Sequence, residues 1–292
     1  MNRSLKEDRI GFLLVLPAFL LVVLILFLPT LNTFRLSFSD FRFPQGVRGG
    51  AGFRNYLAVL SDEEFRQSFL NTIHFAGVSV LLEMVIGIAL AILIDKSFFG
   101  RNLVRTIILF PWVLPTALNA IVWRWLFNTD FGFMNSLMRT LGLIDANINW
   151  LGQIPLAMNS MISVAVWKTS SFIALMVLTG LQTIPPQLYE AAEIDGAGKP
   201  QQFLRITLPL LVPSILLALL FRSMDALRSF ELPFSLTQGG PAGSTQTLSL
   251  FGYRQFFHYL KFDMGAVVSV IQFLFILVLG IVYIRMLKGD RS

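Results

Sequence analysis

Six apolar stretches, each long enough to cross a lipid bilayer as a helix, constrain this chain more than any other feature. A helix needs about 20 mostly apolar residues to span the hydrocarbon core, because every backbone amide must be satisfied within the segment. The stretches cover residues 10–30, 72–94, 106–127, 155–181, 208–228 and 264–284. With 55% hydrophobic and only 14% charged residues, the sequence predicts an all-α integral membrane protein with six transmembrane helices.

The distribution of basic residues predicts the orientation of these spans. An even number of spans places both termini on one side, and Lys and Arg are denser in the termini and inward connections than in the opposite loops. The arginines of the loop between the first two spans are the opposing evidence. We expect cytoplasmic tails at 1–9 and 288–292, a permease domain at 10–287 and a cytoplasmic segment at 182–207.

That cytoplasmic segment has unusually ordered sequence signals. Pro185 and Pro186 can open a helix, alanines continue it, and Gly196 allows the backbone conformation that ends it. Pro200 can open a second helix. The pattern predicts a helix, a bend and a second helix on the cytoplasmic surface. The small alanine side chains of the first helix would let another protein surface pack closely against it. An amphipathic connector without a partner is the alternative on these grounds alone.

The segment resembles the EAA loop of binding-protein-dependent ABC importer permeases. The matching residues are Glu190, Ala191, Ala192, Asp195, Gly196, Ala197, Phe203, Ile206, Leu208 and Pro209. The resemblance continues through Asn71-Thr72, Pro115, Trp123, Gly132, Asn135 and Trp167-Lys168 and covers most of the chain. It implies a coupling site for a cytosolic ATPase, formed by Glu190, Ala191, Ala192, Asp195, Gly196 and Ala197.

A motif in a predicted outward loop indicates which branch of these permeases the sequence resembles. Thr237, Gly239, Gly240 and Pro241 are similar to the T-x-G-G-P motif of the first permease of carbohydrate importers, the maltose and glycerol-phosphate branch. This implies a sugar substrate, with trehalose or a maltose-like disaccharide preferred. The implied partners are a second homologous permease, two copies of an ABC ATPase and an extracytoplasmic solute-binding protein in a bacterial cytoplasmic membrane. ATP and Mg would be used by the ATPase, and this chain would hold no cofactor.

Charged residues within the predicted spans are candidates for the substrate pathway, because charge at bilayer depth is expensive. Asp225, Arg228 and Glu231 could line the outer passage and hydrogen-bond sugar hydroxyls, and the alternative is an internal ion pair. Glu83 and Lys168 form a further possible pair. Asn119, Trp123, Trp167 and Gln272 are additional candidates for contact with substrate.

Several other functions lack the residues they need. The chain has no cysteine and two widely separated histidines, so metal or thiol chemistry has little support. Gly198-Lys199 resembles the end of a phosphate loop, but Glu193 and Pro200 stand where that loop needs a glycine and a Ser or Thr. Basic residues are scattered, which argues against nucleic acid. An ion-coupled secondary transporter, with Glu83 and Asp225 as coupling carboxylates, is the alternative function; a membrane-embedded enzyme ranks lower.

Overall fold

The computed structural model describes the backbone of residues 14–289 and side-chain environments through residue 286. The chain is predominantly helical, as the sequence predicted. The helices are α1 (Leu14–Ser37), α2 (Arg54–Leu60), α3 (Glu63–Asp95), α4 (Arg101–Val113), α5 (Thr116–Leu126), α6 (Phe133–Thr140), α7 (Ile154–Leu181), α8 (Pro186–Ile194), α9 (Lys199–Leu227), α10 (Glu231–Leu236), α11 (Leu248–Tyr253) and α12 (Phe262–Gly289). The predicted tail at 1–9, the first residues of the first span and residues 290–292 lie outside the described residues.

Within residues 14–289, five helices are long and apolar enough to cross a membrane, namely α1, α3, α7, α9 and α12. The predicted third span, residues 106–127, differs from a single straight helix. It consists of α4 and α5, whose axes are bent by 97° at a short break. Leu114 is extended, with ψ of 132°, because the following Pro115 disfavours the helical conformation at the residue before it. Counting the bent pair as one span gives the six that the sequence predicted.

The first of two structural units comprises the described residues up to 62 together with residues 251–273. It contains a two-stranded antiparallel hairpin of β1 (Ser39–Arg42) and β2 (Gly46–Gly50). Asn55 is buried beneath it and donates to the carbonyls of Ser37 and Ser39 at 3.1 and 2.8 Å. These bonds tie α2 to the chain that leads into the hairpin.

The second unit, residues 63–250 and the chain from 274 onward, is built around α3 and α7. Gly87 allows the two helices to approach closely, because a Cβ there would lie 2.5 Å from the Ile173 Cβ. Gly180 plays the same part against α9, where a Cβ would lie 2.4 Å from the Ser214 Oγ. Small residues at helix contacts are the usual means of close packing in a bilayer. This packing fixes the relative positions of the polar side chains described below.

Candidate functional site: an exposed helical segment and a polar cavity

The segment between α7 and α9 is a helix, a bend and a second helix. Pro186 occupies the first turn of α8, where a missing amide hydrogen is harmless. At the other end the Ala197 amide donates to the Ala192 carbonyl at 2.8 Å, and the Gly196 amide donates to the Glu193 carbonyl at 3.0 Å. Gly196 has φ of +78°, the left-handed conformation that this type of helix end requires. The caps predicted from sequence are therefore the ones that shape the segment.

The α8 surface is open, but its base is anchored. Helix α8 contains no buried residue, and Ile194 is 87% exposed. Tyr189 packs against the apolar core, and its hydroxyl lies 2.9 Å from the Thr207 Oγ1 on α9. Ile184, just before α8, is buried in the same core. The exposed face, which includes Glu190 and Ala191, is therefore held on a fixed base.

An ion pair crosses the bend of this segment. The Lys199 ammonium donates to the Glu193 Oε1. This hydrogen bond, followed by one with Gln202, holds the pKa of the Glu193 carboxyl below its ordinary value. Gln202 is buried and donates to the Ala197 carbonyl at 3.2 Å. Side-chain contacts across the bend therefore fix the end of α8 relative to the start of α9.

A polar cavity of about 310 Å³ lies within the second unit, among α5, α7, α9 and α10. Five charged side chains line it, which is unusual at a depth reached by apolar spans. Its charged and amide lining residues are Asn119, Lys168, Arg222, Asp225, Arg228 and Glu231. Four of the residues predicted for the substrate pathway, Asn119, Asp225, Arg228 and Glu231, are thus brought together.

Arg222 forms two ion pairs at this cavity, a buried one with Glu83 and a second with the exposed Asp225. The Arg222 Nη2 donates to the Glu83 Oε1 at 3.0 Å, its Nε donates to the other Glu83 oxygen, and its Nη1 donates to the Asp225 Oδ2 at 2.8 Å. The side chains of Glu83 and Arg222 are 0% and 6% exposed, whereas that of Asp225 is 65% exposed. The sequence-based pairing of Glu83 with Lys168 is wrong: packing of α3 against α9 places Arg222 next to Glu83 instead.

Helix α7 stabilises the break in the third span. The Lys168 Nζ lies 3.4 Å from the Trp112 carbonyl, at the end of α4, and the Ser171 Oγ donates to the Ile108 carbonyl at 2.6 Å. A helix interrupted by proline leaves carbonyls without amide partners, and a cation near a helix C-terminus is favourable. The role of Ser171 was missed because its partner is 63 residues away.

The other predicted pathway residues lie elsewhere. Trp123 and Trp167 contact each other edge to face, with ring centroids 5.5 Å apart. Trp167 lines a separate apolar groove of about 660 Å³ between α3, α4 and α7. Gln272 is half-buried on α12 in the first unit. These three residues stay predictions.

The loop that carries the motif of Thr237, Gly239, Gly240 and Pro241 forms a hydrogen-bonded turn. The hydroxyls of Thr237 and Thr245 lie 2.7 Å apart, and the Thr245 hydroxyl donates to the Gly240 carbonyl at 2.7 Å. Asn71, at the start of the second predicted span, donates to the Gly243 carbonyl at 2.8 Å. This turn follows α10, which carries Glu231, so the loop positions one wall of the cavity.

Comparison with known proteins identifies the kind of protein to which these features belong. The model of the family described as binding-protein-dependent transport system inner membrane component matches residues 83–288. The chain belongs to this family. The permease is therefore a multi-pass inner-membrane component of an ABC transporter, as the resemblance of the Glu190 segment implied.

Individual relatives cover the permease almost completely. The trehalose/maltose transport system permease protein MalF of Thermococcus litoralis is 38% identical over 289 residues, covering 98% of this chain and 96% of that protein. The sulfoquinovosyl glycerol transport system permease protein SmoG of Agrobacterium fabrum is 36% identical over 286 residues, covering 98% and 92%. A crystal structure of a bacterial ABC transporter involved in the import of the acidic polysaccharide alginate superposes with a TM-score of 0.86, 24% identity and 98% coverage of both chains. The last comparison shows the fold alone.

Proposed function

We propose that this permease forms half of the translocation pathway of an ATP-driven importer for a sugar, with a disaccharide such as trehalose or maltose as the substrate. A second homologous permease would form the other half, and an extracytoplasmic binding protein would deliver the sugar. Two copies of a separate ABC ATPase would bind Mg and ATP and hydrolyse the ATP. Both termini would be cytoplasmic.

The observation that carries this proposal is the pairing of an exposed, anchored helical segment with a polar cavity along the same helices. From Lys168 to Leu181, α7 rises about 20 Å. Helix α9 covers a similar distance between Thr207 and Arg222. Both helices that leave the segment therefore reach the cavity, so a displacement of the segment can move the cavity wall without any contact between ATPase and sugar.

The segment has the properties of a docking element. The residues Glu190, Ala191, Ala192, Asp195, Gly196 and Ala197 are exposed or half-buried. Alanines permit close approach of another surface, and the Glu190 carboxylate can form an ion pair with a basic side chain of the partner. The capped bend around Gly196 keeps the two helices in a fixed relation. In the proposed importer, ATP-driven closure of the ATPase pair would push on this element.

The coupling assignment is tested by co-purification of the assembled transporter with its ATPase. Glu190→Lys is expected to reduce ATPase retention strongly and to abolish ATP-dependent uptake in reconstituted vesicles. Asp145→Lys is the matched control, because Asp145 is an exposed acidic residue in the loop before the opposite end of α7. Equal ATPase retention in both variants would remove the assignment of the segment.

The same vesicles distinguish the importer from an ion-coupled secondary transporter. With binding protein outside and ATP inside, we expect trehalose or maltose uptake that stops when ATP is withdrawn. Uptake that persists without ATP and follows an imposed ion gradient would overturn the importer proposal and favour the carboxylates Glu83 and Asp225 as coupling groups.

A further inference from the structure

The break in the third span places a helix end against the cavity. Thr116 and Asn119, one turn apart on α5, both line the cavity, and Trp112 at the end of α4 lines it as well. Among the described residues, no side chain caps the N-terminus of α5. The first amides of this helix therefore keep their capacity to donate, and the helix dipole adds positive potential there. The cavity wall is therefore electropositive at this point.

Asn119 provides an independent observation at the same place. Its side chain is 2% exposed, and its Nδ2 has no hydrogen-bond partner within the part of the chain that the structure describes. Buried amide groups are normally satisfied, because an unmade hydrogen bond inside a protein is costly. A buried donor in a cavity wall is therefore expected to find its acceptor in the molecule that occupies the cavity.

The remaining charges of the cavity wall balance. Arg222 is neutralised by the buried Glu83, which leaves two cations, Lys168 and Arg228, and two carboxylates, Asp225 and Glu231, among the lining residues. A ligand with a net charge would find no matching excess of opposite charge in this lining. A polyhydroxylated ligand can satisfy both signs, because each hydroxyl donates to a carboxylate and accepts from a cation or an amide.

We propose that the N-terminus of α5 and the Asn119 Nδ2 form a donor subsite for acceptor oxygens of an uncharged saccharide. The Asp225 and Glu231 carboxylates accept from the hydroxyls of the same molecule. The Lys168 contact with the Trp112 carbonyl makes Lys168 a positioning residue, which holds the bend that exposes the helix end. This inference rests on the proposed function and specifies the part of the sugar that the bend recognises.

The test measures equilibrium binding of radiolabelled trehalose and maltose to the detergent-purified, fully assembled transporter with its ATPase inhibited. Asn119→Leu is expected to weaken binding about threefold to tenfold, which is the range for loss of one hydrogen bond. Asn119→Asp preserves the size of the side chain but removes the donor, so a similar or larger loss is expected. Asn159→Leu is the control, because Asn159 is an exposed asparagine on α7 that lines the apolar groove instead.

Unchanged affinity in Asn119→Leu, or an equal loss in Asn159→Leu, would refute the donor subsite. If both Asn119 variants fail to assemble, the wild-type complex still decides the question of charge. Uronic acid derivatives of the same disaccharides should compete at least tenfold more weakly than the neutral sugars, and equal competition would refute the inference. ATP-dependent uptake by the wild type, together with unchanged sugar affinity in the Asn119 variants, would refute only the subsite. Absence of ATP-dependent sugar uptake by the wild type would refute the proposed function.

Discussion

The buried Glu83–Arg222 pair makes a quantitative prediction that depends on its asymmetry. The Glu83 side chain is 0% exposed and accepts two hydrogen bonds, both from Arg222, whereas Arg222 also donates to Asp225 at 2.8 Å. Removing one partner of a buried ion pair typically costs about 3–5 kcal/mol, because the other charge stays buried and uncompensated. The three side chains are therefore expected to differ in the cost of their replacement.

Arg222→Met leaves the Glu83 carboxylate in the protein interior without its cation. The loss of stability should therefore lie near the upper end of this range, at about 5 kcal/mol. Glu83→Gln leaves Arg222 with the Asp225 carboxylate and should cost about 3 kcal/mol. Asp225→Asn removes a carboxylate whose side chain is 65% exposed, and its cost should stay within about 1 kcal/mol. The double variant Glu83→Gln with Arg222→Met should recover much of the loss of Arg222→Met.

The measurement is the chemical or thermal denaturation midpoint of the detergent-purified permease in its complex, compared across the three single variants and the double variant. The non-additivity of the double variant gives the coupling energy between Glu83 and Arg222. A coupling energy near zero, or a loss for Asp225→Asn as large as that for Arg222→Met, would show that the buried pair does not hold α3 and α9 together.

Two further predictions concern packing and the loop before α7. Gly87→Val should destabilise the complex by about 1–3 kcal/mol through overpacking against Ile173. The control Gly77→Ala has open space at its Cβ position and should have little effect on the melting temperature. Equal melting temperatures of the two variants would contradict the close contact. Asn135→Leu removes the acceptor of the Trp150 Nε1 hydrogen bond at 3.0 Å. Limited proteolysis of the surrounding loop should therefore accelerate several-fold. An unchanged cleavage rate would show that the loop does not depend on this side chain.

Local signals in the sequence were sufficient for much of the fold. Spans are visible because hydropathy over about 20 residues is a local property. The ends of α8 are visible because Pro186 and Gly196 act on their immediate neighbours. The break between α4 and α5 also has a local signal in Pro115, which the resemblance noted but the span prediction did not use.

The cavity was only partly predictable because its geometry depends on contacts between distant residues. A spacing of three residues places Arg222 and Asp225 on one face of a helix, yet the fully buried partner of Arg222 is Glu83, 139 residues earlier. That choice has a functional consequence. Since Arg222 and the second half of the exposed segment belong to the same helix, α9, any axial or tilting movement at the segment must either carry Glu83 and α3 along or break a buried ion pair. The second route is costly, so in the proposed importer the pair favours joint movement of α3 and α9 when the exposed segment is displaced.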